Sequence, residues 1–71
     1  MKQNRIDNDI RRAFRHVAEA EVRVACQEEL IARLKRRHRP SEQAEVALHT
    51  MKNSLLQLRN HLELMRELMK G

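Results

Sequence analysis

"LKRRHRPSEQ", residues 34–43, contains the chain's one proline. Pro40 has no N–H to donate and disfavours helical geometry at Arg39, so a helix arriving from the N-terminal side ends near Arg37 or His38. Ser41 is a natural N-cap for a second helix, and Glu42 and Glu45 stand where the positive end of that helix favours acids. The unbroken basic row Lys35, Arg36, Arg37, His38 and Arg39 occupies the last turn of the first helix, where the dipole favours positive charge. The stretch reads as helix, short turn, helix, and so short a connection forces the two helices to lie antiparallel.

Outward from the turn the apolar pattern supports this. Ile10, Ala13, Val17, Ala20, Val24, Gln27, Ile31 and Leu34 recur at alternating spacings of 3 and 4, with Gln27 filling the single polar step. A second series runs Ala44, Leu48, Met51, Leu55, Leu58, Leu62, Met65 and Met69. Both are heptad seams. The expected architecture is all-α: one domain over residues 1–71, with helix 1 at 5–38, a turn at 38–41 and helix 2 at 41–70. Asn4 or Asp7 is expected to cap the first helix, with Asp7 and Asp9 near its positive end.

In an antiparallel pair the residue numbers of each layer add to a constant, and totals of 82 and 75 both suit a short turn. A total of 82 layers Leu34 on Leu48, Ile31 on Met51, Val24 on Leu58, Ala20 on Leu62, Val17 on Met65 and Ala13 on Met69. It flanks them with Lys35/Glu45, Glu28/Lys52, Glu21/Arg59 and Phe14/Arg66: three opposite charges and one cation–π contact. A total of 75, with flanks taken by the same rule, sets Glu28 beside Glu45. Exposed pairs are each worth about 0.2–1 kcal/mol, and three agreeing signs against one clash favour 82.

Seventy-one residues with 35% charge, one Gly, one Pro and one aromatic residue suit helices and little else. A chain this short buries only about 60–65% of its unfolded surface, so help from self-association or a partner is expected. A lone Cys26 cannot form an internal disulfide and suggests a reduced, cytoplasmic setting. No span is apolar enough to cross a membrane, and "MKQNRIDNDI" does not resemble a signal peptide.

A single seam covers one stripe of each helix, which leaves Cys26, Leu30, Ala47, Leu64 and Leu68 together on the side opposite the charged flanks. These five residues are the candidate partner face. A second copy is the simplest occupant, completing a dimeric four-helix bundle, and another protein is the alternative occupant. Gln27 is expected to set register. No two of His16, His38, His49 and His61 lie within a turn of one another, and His16 and His61 are offset by five residues in the favoured register, so no metal site is expected. Cys26 has no base at a sequence spacing that would activate it, and there is no glycine-rich loop or carboxylate pair. No catalysis, cofactor or small-molecule substrate is expected.

The net charge of +5 is carried by the first half, where residues 1–39 hold eleven Lys/Arg against six Asp/Glu. The candidate anion-binding residues are Arg11, Arg12, Arg15, Arg36, Arg37 and Arg39, and nucleic acid is the alternative macromolecular partner. Helix 1 also carries Glu19, Glu21, Glu28 and Glu29, and the chain lacks aromatic residues for base stacking. Membrane-surface binding would need an apolar face that both seams have already committed.

"RHVAEAEVRVACQEELIARL", Arg15–Leu34, resembles the first helix of a family of small proteins from rhizobia and related alphaproteobacteria, with the pattern RHVAEGE, RIARQ, LIARL. Arg15, His16, Val17, Ala18, Glu19, Glu21, Arg23, Ala25, Gln27, Leu30, Ile31, Ala32, Arg33 and Leu34 match that pattern. Ala44, Leu48, Thr50, Ser54, Leu55, Leu58 and His61 match more loosely in the second helix. Cys26 stands where the family has Arg, and "RRHRPSE" replaces a turn resembling DGHDT. The resemblance implies a bacterial, cytoplasmic helical hairpin and supplies no mechanism. The chain is therefore expected to be a non-enzymatic interaction module, homodimeric, that binds another macromolecule.

Overall fold

The computed structural model describes residues 2–70: helix α1, Lys2–Arg36, and helix α2, Glu42–Lys70, packed along their lengths as an all-α hairpin. The molecule measures 55 × 14 × 14 Å and its radius of gyration is 16.3 Å. A globule of this length would have about 11 Å. The shape leaves almost no interior, and among the described residues no side chain is fully enclosed.

Helix α1 starts earlier than its acids suggested. It is already helical at Lys2, so Asn4 and Asp7 fall within it and not at its start, and no acid stands in its first turn. Lys, Gln and Arg in that turn are good helix formers, and nothing there stops propagation. The other end is closed by more than the proline. His38 adopts a left-handed conformation with φ of 55°. Its N–H donates to the Lys35 carbonyl at 3.1 Å, and the Arg39 N–H donates to the Leu34 carbonyl at 2.8 Å. These two bonds form a Schellman motif, which satisfies carbonyls that the helix end would otherwise leave without donors. Ser41 then opens α2: its carbonyl accepts the Glu45 N–H at 2.9 Å, and its hydroxyl donates to the Glu45 carboxylate at 3.1 Å. Ser41 thus occupies the N-cap position through its carbonyl, while its hydroxyl bonds the Glu45 carboxylate instead of a backbone N–H.

The seam buries Ala13, Val17, Ala20, Val24 and Ile31 of α1 and Leu55 and Leu62 of α2, with Ile10, Leu48, Met51, Leu58 and Met65 packed against them. Its register differs from the one expected. The Gln27 side-chain amide donates to the Ala44 carbonyl at 2.9 Å. In a register totalling 82, those residues would be offset by 11 positions, about 16 Å along the axis, beyond the reach of a glutamine. In a register totalling 75 the offset is 4 positions, about 6 Å, which the side chain spans. Two grooves agree: one is lined by Ala13, His16, Leu58, His61 and Met65, the other by Ala20, Met51, Ser54 and Leu58. Ile10 packs on the core although a total of 82 would place it beyond the end of α2, and Met69, expected opposite Ala13, is 50% exposed.

The layers are therefore Ile10/Met65, Ala13/Leu62, Val17/Leu58, Ala20/Leu55, Val24/Met51, Gln27/Leu48 and Ile31/Ala44. Large lies against small at Ala13/Leu62 and Ala20/Leu55, and all four of those residues are buried. Gln27 interrupts the apolar run, which is why Ile31 is buried yet stands apart from the main cluster.

The four flanking contacts expected from the sequence are all present: Lys35–Glu45 at 3.4 Å, Glu28–Lys52 at 3.6 Å, Glu21–Arg59 at 2.9 Å, and Arg66 over the Phe14 ring at 5.8 Å. They did not discriminate between the registers because helical side chains lean toward their own N-terminus. On α1 that direction points away from the turn and on α2 toward it. A side chain of α1 therefore meets one rooted farther along α2, and pairs totalling 80 form across layers totalling 75. The expected clash of Glu28 with Glu45 does not arise, since Glu28 meets Lys52 and Glu45 meets Lys35.

His38 holds a conformation that glycine adopts without a Cβ penalty. His38→Gly should stabilise the hairpin by about 0.5–1 kcal/mol, read as a higher urea midpoint at unchanged m-value. A lower midpoint would mean that the imidazole itself contributes to the turn.

Candidate functional site

The two edges of the seam differ chemically. One edge is closed by the Phe14/Arg66, Glu21/Arg59, Glu28/Lys52 and Lys35/Glu45 contacts, whose charged side chains are about half exposed. The other edge lacks such closure and forms an open trough. Near the turn it carries Leu30, 38% exposed, with exposed Cys26 and half-buried Ala47. Its middle is a groove of about 220 Å³ lined by Ala20, Arg23, Thr50, Met51, Ser54 and Leu58. Farther out lies a groove of about 400 Å³ lined by Asp9, Arg12, Ala13, His16, Leu58, His61 and Met65. Leu64 and Leu68, 65% and 80% exposed, finish the strip at the free end.

The candidate partner residues Cys26, Leu30, Ala47, Leu64 and Leu68 thus share one edge but not one patch. Leu30, Cys26 and Ala47 lie near the turn, and Leu64 and Leu68 lie near the free end. Between them the rim is polar. The expected separation of His16 and His61 is corrected by the register, since both line the outer groove together with Asp9. Even so, among the described residues no three His, Cys, Asp or Glu side chains are arranged to hold a metal ion.

Of the candidate anion-binding residues, Arg36 is already engaged by Glu29 at 3.3 Å. The Lys35–Glu45 pair accounts for another member of the basic row. Arg37 and Arg39 form no ion pair among the described residues. Arg11, Arg12 and Arg15 line, with Asn8, a shallow trough of about 500 Å³ on the outer face of α1. Arg33, which the nucleic-acid reading of the sequence also includes, forms no ion pair among the described residues and lies three heptads from Arg12, which puts both on one face. Among the described residues no helix is long and apolar enough to cross a membrane.

Comparison of the chain with protein-family models, with curated proteins and with solved structures gives no match.

The charged edge is the shortest route to a quantitative check on the site's geometry. A double-mutant cycle with Glu21→Gln and Arg59→Gln should give a favourable coupling of about 0.2–1 kcal/mol in urea unfolding, declining with salt. The same cycle on Glu21 with Lys52, seven residues from Arg59, should give none.

Proposed function

We propose that the chain is a non-enzymatic, homodimeric interaction module of the reduced cytoplasm, in which two hairpins cover each other's open edge as a four-helix bundle and present their outer faces to another macromolecule. The open edge supports this reading best. It carries exposed leucines on a molecule whose seam buries only one stripe of each helix. One face of a body 55 Å by 14 Å offers about 770 Å² of footprint, close to the ~800 Å² per partner of a stable interface.

The edge is also self-complementary. Leu30 and Ala47 lie about 11–14 Å from the middle of the turn, and Leu64 and Leu68 about 40–46 Å from it. A two-fold axis through the middle of the edge therefore brings the turn-end apolar residues of one copy onto the free-end leucines of the other. Arg23, Thr50 and Ser54 would meet near the axis, where polar groups can bond across or through water. Glu19 is paired with Arg23 at 3.9 Å, so the centre carries little net charge. The non-enzymatic part of the proposal rests on the open form of the grooves, where a reacting group would stay in contact with water. The likeness of Arg15–Leu34 to the small alphaproteobacterial proteins is in keeping with the proposed setting.

Light scattering tests the dimer directly. The wild-type protein should show twice the 8.5 kDa chain mass. Leu64→Glu together with Leu68→Glu should bring it to the chain mass while circular dichroism still reports helix, since neither leucine belongs to the seam. An unchanged dimer mass would place the partner face elsewhere, with the Ala18, Ala25 and Ala32 side of α1 next to be tested.

A further inference from the structure

The ion pairs divide the cations of the two helices unequally. On α2, Lys52, Arg59, Arg66 and Lys70 each contact a carboxylate. On α1 every glutamate is likewise taken: Glu19 by Arg23, Glu21 by Arg59, Glu28 by Lys52 and Glu29 by Arg36. Arg11, Arg12, Arg15, Arg33, Arg37 and Arg39 take part in no ion pair among the described residues. Arg5 likewise forms no ion pair among the described residues, and Asp7 and Asp9 beside Arg11 and Arg12 offset part of the first group. The net positive charge therefore falls into two groups, one toward the start of α1 and one at its end and in the turn, with neutralised pairs between them.

We propose that the outer side of α1 and the turn that follows it bind the backbone of duplex DNA. Arg11, Arg12 and Arg15 would take one group of phosphates, and Arg33, Arg37 and Arg39 a second group one helical turn away. Arg12 and Arg33 are 21 residues apart, three heptads, so they share a face and are separated by about 32 Å along the helix. Phosphates one turn apart on B-form DNA are about 34–36 Å apart. The stretch between the two groups carries the neutralised Glu19–Arg23 pair, so the attraction is concentrated at the two ends. The trough of about 500 Å³ lined by Asn8, Arg11, Arg12 and Arg15 gives the first group a concave seat, with Arg12 also facing Asp9 in the neighbouring groove. Arginine forks match phosphate oxygens bidentately. The single aromatic residue, Phe14, lies under Arg66, so stacking on unpaired bases has no platform here. The contacts are all to the backbone, and binding should not depend on sequence.

This inference names the partner of the module proposed above but rests on arginines of α1 and the following turn within one chain, so it does not need the dimer. The test is fluorescence anisotropy with a labelled duplex two turns long, titrated across a range of salt. The wild-type protein should bind with a slope of log K against log salt of about −5, equally for unrelated sequences. Gln at Arg11, Arg12 and Arg15, or Gln at Arg33, Arg37 and Arg39, should each flatten that slope by about 2–3 while the far-ultraviolet spectrum stays helical. On a duplex of about six base pairs, too short to span both groups, either triple substitution should cost less than it does on the long duplex. Triple variants that bind like the wild type would overturn the proposal. So would displacement of the duplex by polyglutamate or by a hairpin RNA at equal anion concentration. A Leu64→Gln, Leu68→Gln form separates the two readings. If only the dimer proposal fails, this form and the wild type keep the same mass and the same salt slope. If only the DNA proposal fails, mass falls and neither protein binds duplex.

Discussion

A thin helix lies against a thick one across a single seam, and every other feature is positioned by that fit. Helix α1 contributes Ala13, Val17, Ala20 and Val24 to the seam, and α2 contributes Leu62, Leu58, Leu55 and Met51. The alanines leave room that the leucines fill, so Leu55 and Leu62 are buried by a helix whose own seam side chains are short. Burial of a leucine stabilises by about 1.5–3 kcal/mol, which makes these two residues the main apolar contribution of α2. Interlocking of this kind tolerates no slip, because a shift of one heptad would set Leu62 against Ala20 but leave Ile10 without a layer.

Much of this was legible in the sequence. Pro40, Ser41 and the two heptad series define two helices and their antiparallel sense, because those signals act locally. The four flanking contacts were legible as well, since charge signs at fixed heptad positions leave few pairings. Register was not. Pairs totalling 80 are compatible with layers totalling either 82 or 75, and only the lean of side chains toward their own N-terminus separates the two. Gln27 carried the missing information, but only its bond to the Ala44 carbonyl reveals the alignment. The His38 conformation was also hidden, because a left-handed cap is usually announced by glycine and here a histidine fills it.

The same register assigns the molecule's surfaces. It closes one edge with charged pairs and leaves the other as a trough with leucine at both ends. It brings His16 and His61 into a common groove, which the expected alignment would have kept apart. It also commits the glutamates at 21 and 28 of α1 to cations of α2. With Glu19 and Glu29 taken by Arg23 and Arg36, Arg33 and the turn arginines have no acid left to balance them, and Arg11 and Arg12 have only Asp7 and Asp9 nearby. The charge excess of the first half of the sequence thus becomes a property of the outer side of α1 and the turn, because cations along the seam and on α1 itself take up the compensating glutamates.

The central claim is the alignment itself, and engineered disulfides test it most directly. In a Cys26→Ser background, cysteines at positions 20 and 55 share a layer in the observed register, whereas cysteines at 20 and 62 are offset by about 10 Å. Air oxidation followed by non-reducing electrophoresis should show the Ala20→Cys, Leu55→Cys protein forming its bridge readily within one chain. The Ala20→Cys, Leu62→Cys protein should stay reduced or link only between chains. A fast intrachain bridge at 20/62 with none at 20/55 would contradict the register, and with it the placement of the open edge.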